Sequence, residues 1–225
     1  KLLGGKDLAY TVAAHDTAFV AHFKPLKFLV TIEAESGKGS VAPGTAQYNY
    51  GEVVEVHVTA NPGYTFAAWD DGNTANPRFI PVPANNDSRY LATFTPNPHT
   101  ITATVNDNNM GTVSPTSTSA AFGSTTYITA TAYDGYELKK WSNGALGVHN
   151  PLPFLLDKDR DTTLIAIFGP KKYTVTVEPN KPDRGATTGT NLVEFMGKDT
   201  LTATASRGYY FKQWNDGNNV NPRYY

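Results

Sequence analysis

Tyr64, Phe66 and Trp69 lie close together, and the set returns as Tyr136, Leu138 and Trp141, then as Tyr209, Phe211 and Trp214. Aromatic faces suit the apolar faces of sugar rings, so such a set reads as a stacking platform or as the core of a small domain. The core reading is stronger, because one tryptophan at one address per copy suits packing better than recognition. Arg78 and Arg223 each follow Asn-Pro and carry the planar fork that clamps a carboxylate at two points. They read first as covers for aromatic surface or as partners of a nearby aspartate. Tyr48, Tyr50 and the adjacent Tyr209 and Tyr210 vary between copies, and with Arg78 and Arg223 they make the candidate ligand surface.

Other chemistry is thin. Asp157, Asp159 and Asp161 alternate with Lys158 and Arg160 in the manner of a calcium loop. The sixth place holds Thr162 where such a loop needs glycine, and the twelfth holds Phe168 where it needs glutamate. The stretch therefore reads as a solvated hairpin loop. His15, His22, His57, His99 and His149 share no repeat address and no metal-ligand spacing. No Gly-x-Ser-x-Gly elbow, zinc-binding helix or phosphate-cradling loop occurs. Glu33, Glu35, Glu52 and Glu55 do not recur between copies and mark no cleft. The expectation is no catalytic residue, no cofactor and no metal.

The elements that must position these residues are repeated. Trp69, Trp141 and Trp214 are the chain's three tryptophans, 72 and 73 residues apart, each the seventh residue of a phrase that begins Gly-Tyr. A fixed period of this size means a tandem array of like modules. Each copy opens on an alternating strand: Phe28, Val30, Ile32; Ile101, Ala103, Val105; Tyr173, Val175, Val177. Period-two alternation with polar residues between is the mark of a half-buried antiparallel strand. A Gly-led segment follows at Gly39, Gly111 and Gly185. Turns are then expected at Tyr50-Gly51, Phe122-Gly123 and Met196-Gly197, followed by a further alternating strand such as Val54, Val56, Val58. The Gly-Tyr phrase fits a strand with a bend or one helical turn before the tryptophan. Asn76-Pro77, Asn150-Pro151 and Asn221-Pro222 restart extended chain. Closing strands carry Tyr90, Ala92, Phe94 and Leu164, Ala166, Phe168, each stopped by a proline two residues on.

That closing pattern also occurs as Phe19, Ala21, Phe23 and Pro25. The expected organisation is residues 1–25 as the closing part of a preceding repeat, then modules at 26–97, 98–171 and 172–225. The third is expected to stop before its closing strands. Boundaries fall at the Pro-containing joints 24–27, 95–98 and 169–172. The 225 residues carry a net charge of −1, 17% charged residues, 19 glycines, 15 prolines and no cysteine. Low charge and abundant turn residues point to turn-rich β structure. They leave no electrostatic footprint for nucleic acid and no apolar run for insertion into a membrane.

These phrases resemble the divergent internalin B-type (Listeria–Bacteroides) repeat: a Thr/Val strand, a Gly-rich turn, Gly-Tyr-x-Phe-x-x-Trp and a closing alternating strand. The second copy departs from it, with Leu138 for Phe and Leu152 where Arg78 and Arg223 stand. The resemblance implies a mainly β chain, a tandem array of small β-grasp-like or antiparallel modules of about 70 residues. It implies a bacterial secreted or cell-surface setting, a non-catalytic stalk or adhesion role, and no defined ligand residues. Three like modules in line would span on the order of 90 Å. The alternative function is multivalent binding of host glycan or extracellular-matrix protein through the exposed Tyr and Arg residues, repetition raising avidity. Self-association through unpaired strand edges is a third expectation.

Overall fold

The computed structural model describes residues 16, 18–82, 88–144 and 149–224. By contact the chain divides into two compact units, Lys1–Thr59 with Phe66–Thr93, and Ala60–Thr65 with Phe94–Tyr225. The described residues are all β, in small sheets built from repeated modules.

The first copy supplies β1 (Lys27–Ala34), β2 (Gly39–Ala42), β3 (Ala46–Asn49), β4 (Val53–Ala60), β5 (Tyr64–Trp69), β6 (Arg78–Pro81) and β7 (Ser88–Pro96). The second repeats them as β8 (Pro98–Val105), β9 (Gly111–Ser114), β10 (Ser117–Ala121), β11 (Thr125–Ala132), β12 (Tyr136–Trp141), β13 (Leu152–Leu155) and β14 (Thr162–Pro170). The third carries β15 (Lys172–Val175), β16 (Gly185–Thr188), β17 (Asn191–Glu194), β18 (Thr200–Ala205) and β19 (Arg223–Tyr224).

Each of the first two copies folds into two facing layers. A four-stranded sheet runs β3-β1-β7-β5, and again β10-β8-β14-β12. A three-stranded sheet runs β2-β4-β6, and again β9-β11-β13. Alternation decides what each strand buries. In β4 Val54, Val56 and Val58 point inward while Glu55 and His57 point out. The first unit closes on Val30, Ile32, Val56, Ile80 and Trp69, all buried. The second closes on Ile101, Ile128, Trp141, Leu152, Leu164 and Phe168. In both, the opening and closing strands lie side by side and parallel, Ile32 opposite Tyr90 and Ala103 opposite Leu164. Alternation reports burial and is blind to strand direction, so this parallel pair was not legible beforehand. The Gly-Tyr phrase is a strand in the first two copies, bent in the second by a bulge between Leu138 and Lys140 before the buried Trp141, while residues 209–214 of the third carry no strand.

The asparagine of each Asn-Pro has a role beyond restarting the chain. Asn76 Nδ2 donates to the Val58 carbonyl at 2.8 Å, and its Oδ1 accepts from the Val58 N–H at 2.9 Å. Asn150 does the same to Ala130 and Asn221 to Ala203. One side-chain amide thus stands in for a backbone partner where the neighbouring strand has not yet begun.

Two expectations change. Residues 18–26 carry no strand, and Phe19 and Phe23 stand 72% and 91% exposed. Residues 1–15 of the expected closing part lie outside the described residues. The turn of the third copy is also shifted by one residue. Gly51 and Gly123 occupy turns in which Glu52 N donates to Asn49 O and Ser124 N to Ala121 O. The matching bond in the third copy runs from Gly197 N to Glu194 O, so Phe195 and Met196 occupy the places of Phe122 and Gly123. Met196 therefore holds the left-handed position at φ 61°, where its Cβ crowds the backbone. Met196→Gly should stabilise the third copy by about 0.5–1 kcal/mol after the extra entropy of glycine in the unfolded chain. A urea midpoint that stays level or falls would contradict this assignment.

Candidate functional site

The residues that recur at one address go to two places, the interior of a copy and the junction of successive copies. Trp69, Trp141 and Trp214 are 1%, 1% and 9% exposed. Each indole donates to a carbonyl of the loop that follows it: Ala75 at 3.1 Å, His149 at 3.0 Å and Val220 at 2.9 Å. A buried tryptophan with its N–H satisfied is a packing residue, with no face left for a sugar. Phe66 and Phe211 meet their tryptophans with centroids 5.9 and 5.0 Å apart, and Leu138 packs on the core of the second copy.

Arg78 is taken up within its own copy. Its guanidinium lies 5.3 Å from the Trp69 ring centroid and 4.6 Å from that of Tyr90, and Nη1 donates to Asp71 at 2.9 Å. These bonds from Arg78, then the N–H of Asn73, hold the Asp71 carboxyl below its ordinary range. Arg223 pairs with Asp216, whose carboxyl is lowered first by the Asn218 N–H and then by Arg223. In the second copy Leu152 fills the same address, fully buried. Of the remaining candidate surface residues, Tyr48 is half-buried and Tyr50, Tyr209 and Tyr210 are 57%, 49% and 81% exposed. Tyr209 and Tyr210 border one groove of the third copy together with Arg223. Among the described residues no three His, Cys, Asp or Glu side chains are grouped to hold a metal ion.

The junction is the feature that sequence reading missed. Within the second unit, Tyr64 and the ring of Phe122 meet edge to face at 5.5 Å. Tyr136 and Phe195 repeat this at 5.4 Å and the same 79° angle. The glycine before each tyrosine holds a left-handed backbone, φ 87° at Gly63 and 83° at Gly135. A β-carbon there would lie 2.3 Å from the Phe122 ring and 2.5 Å from the Phe195 ring, so only glycine lets the ring sit down. One residue links the strands on either side. The Asn97 N–H donates to Gly63 O, and its carbonyl accepts from Phe122 N, both at 2.8 Å. Lys171 does the same between Gly135 O and Phe195 N, at 2.8 and 2.7 Å. The joints placed at 95–98 and 169–172 thus come down to single residues.

The acidic loop braces the first of these junctions. Asp159 accepts from Asn97 Nδ2 at 3.0 Å and from the Gly63 N–H at 3.0 Å, and lies 2.7 Å from His99 Nε2. Asp161 accepts from the Thr100 N–H at 2.8 Å. The sequence offered no signal for this, because the partners lie 60 to 96 residues away.

A family model described as the divergent InlB B-repeat domain matches residues 28–98, 101–172 and 173–223. Among solved structures the chain is similar to the Bacillus anthracis TIE protein, at 11% identity and a TM-score of 0.36. That likeness covers 80% of this chain and 45% of the other, so this chain spans less than half its length. No curated protein matches the chain.

The amide of Asn97, the ring of His99 and the Gly63 N–H, in that order, hold the Asp159 carboxyl below the usual aspartate range. A carboxylate lowered on folding stabilises the native state above its unfolded value, about pH 3.9, and loses that effect as pH falls through the native value. Asp159→Asn should therefore lower the denaturation midpoint at neutral pH. The gap from the parent chain should close as the pH is taken below about 3.9. A gap that stays constant across that range would contradict the brace.

Proposed function

The chain belongs to the divergent InlB B-repeat family, and from that premise we propose that it is a non-catalytic spacer segment of a secreted or surface-displayed bacterial protein. Repeats of this family are generally non-catalytic and typically occur in extracellular or surface proteins. What supports the spacer reading most is the fate of the shared addresses. The tryptophans are interior, Tyr64 and Tyr136 are covered by the ring of the following copy, and Arg78 and Arg223 are engaged by aspartates of their own copies. An adhesive array gains avidity by presenting one group at one address in each copy. Here the recurring groups are spent on holding copies together.

A multivalent binder of host glycan or matrix protein is the second reading, and the exposure of Tyr50 and Tyr210 favours it. Against it, Tyr210 has Thr65 and Glu137 at its address in the other copies, so that aromatic does not repeat.

The purified chain, placed at high concentration on an array of glycans and extracellular-matrix proteins, should give no saturable signal. A specific hit lost on substituting Tyr48, Tyr50 or Arg78, with the fold intact, would replace the spacer reading with the adhesive one.

A further inference from the structure

The chain enters a copy by its opening strand and leaves by its closing strand, so the pairing of these two decides how the copy answers to tension. In the second copy β8 and β14 run parallel, from Ile101 beside Thr162 to Val105 beside Ala166. In the first, β1 and β7 do the same, from Val30 beside Ser88 to Ala34 beside Ala92. Each pair forms the middle two strands of its four-stranded sheet. Tension acts at the start of the opening strand and at the finish of the closing strand. Because the strands are parallel, those two points lie at opposite ends of the pair. The pull therefore slides one strand along the other and loads the evenly spaced bonds of the ladder together. In an antiparallel pair the two points would share one end, and the bonds would open one at a time.

The second copy reinforces its pair. Ala103, Leu164 and Ala166 are buried along it, at 3%, 1% and 0% exposure, so water has little access to the bonds under load. Asn106 then carries the ladder past the end of β8. Its N–H donates to Ala166 O at 3.1 Å, its Nδ2 donates to Phe168 O at 3.1 Å, and its Oδ1 accepts from Phe168 N at 2.8 Å. One residue thus ties the end of β8 to the part of β14 through which the load leaves. The first copy has Glu35 at this address, where the N–H donates to Ala92 O at 3.0 Å but a carboxylate replaces the amide. Lys171 alone separates β14 from β15, so tension reaches the closing strand without slack.

We infer that the parallel pair is a load clamp, by which the first two copies resist extension along the chain, and that Asn106 is its lock in the second. This rests on the spacer reading in one respect, since only a segment held between two attached parts carries tension. Resistance under load is set by the rate of unfolding rather than by equilibrium stability. A clamped chain keeps its length when pulled, whereas a flexible linker changes its length freely.

Single-molecule stretching of the 225-residue chain, held by its ends, tests this. The first two copies should each give an extension step of roughly 200–250 Å, at the highest forces of the trace. The chain has no cysteine, so a pair of introduced thiols can redirect the pull. In the double variant Thr100→Cys, Arg160→Cys both handles sit at the same end of β8 and β14, and the second copy should open at a several-fold lower force. Both positions are exposed, so circular dichroism of this variant should match the parent. Asn106→Ala, pulled by the ends, should lower the force of one high step and leave the other, with unfolding at a given load about tenfold faster. Equal force in the two pulling directions would overturn the clamp, and two unchanged steps in Asn106→Ala would overturn its lock. Failure here is distinct from failure of the spacer reading. Equal forces would leave a spacer that bears no load, whereas a saturable hit on the array would remove the spacer and leave the difference in force.

Discussion

Inside the second unit an aromatic ring rests twice on the bare Cα of a left-handed glycine, and much of the arrangement answers to that close approach. The approach is possible only where no β-carbon stands, which gives Gly63 and Gly135 a purpose that a turn alone would not. It also decides what the neighbouring tyrosine does. Tyr64 and Tyr136 offer their rings edge to face to the incoming phenylalanine and are therefore shared between the copy that carries them and the one that follows. The single linking residue, Asn97 or Lys171, bonds forward and backward at once, so the backbone and the ring locate the junction together. A contact that small, made by both main chain and side chain, leaves little room for alternative seatings.

The interior of each copy obeys a different rule, and it is a rule about alternation. Val54, Val56 and Val58 in β4, and Ile101 and Ala103 in β8, turn every second side chain into one narrow core. The tryptophan closes that core at one end, its N–H satisfied by the loop behind it. The asparagine of Asn-Pro supplies the missing rung of a ladder. Such modules are small, and a core of this size leaves each of them modestly stable by itself. Sharing a ring at the junction adds apolar burial for both neighbours, the nearest-neighbour logic of repeat proteins.

Much of this was legible from the residues. Alternation placed the strands, the spacing of Trp69, Trp141 and Trp214 gave the module length, and the Gly-Tyr phrase located the strand that ends on Trp69 and on Trp141. What was hidden shares one physical cause, dependence on partners far along the chain. The parallel pairing of β1 with β7 joins residues some 58 apart, and nothing in either strand states its direction. Asp159 looked like part of a solvated loop because its partners Gly63, Asn97 and His99 lie in another copy's phrase or beyond it. The third turn misled for a local reason. Gly197 drew the alignment, although the backbone there uses Met196 for the left-handed place and leaves the glycine one residue late.

The shared ring makes the third copy depend on a glycine of the second, and Gly135→Ala tests that dependence directly. The new β-carbon would meet the Phe195 ring while leaving every side chain of the third copy unchanged. The measurement is native-state hydrogen exchange, read at the amides of β15 and β17 and at those of β11. The account expects faster exchange in β15 and β17, by about tenfold or more, with β11 protected as before. Protection of β15 and β17 equal to that of the parent chain would contradict it, and the ring on glycine would then be a contact without consequence.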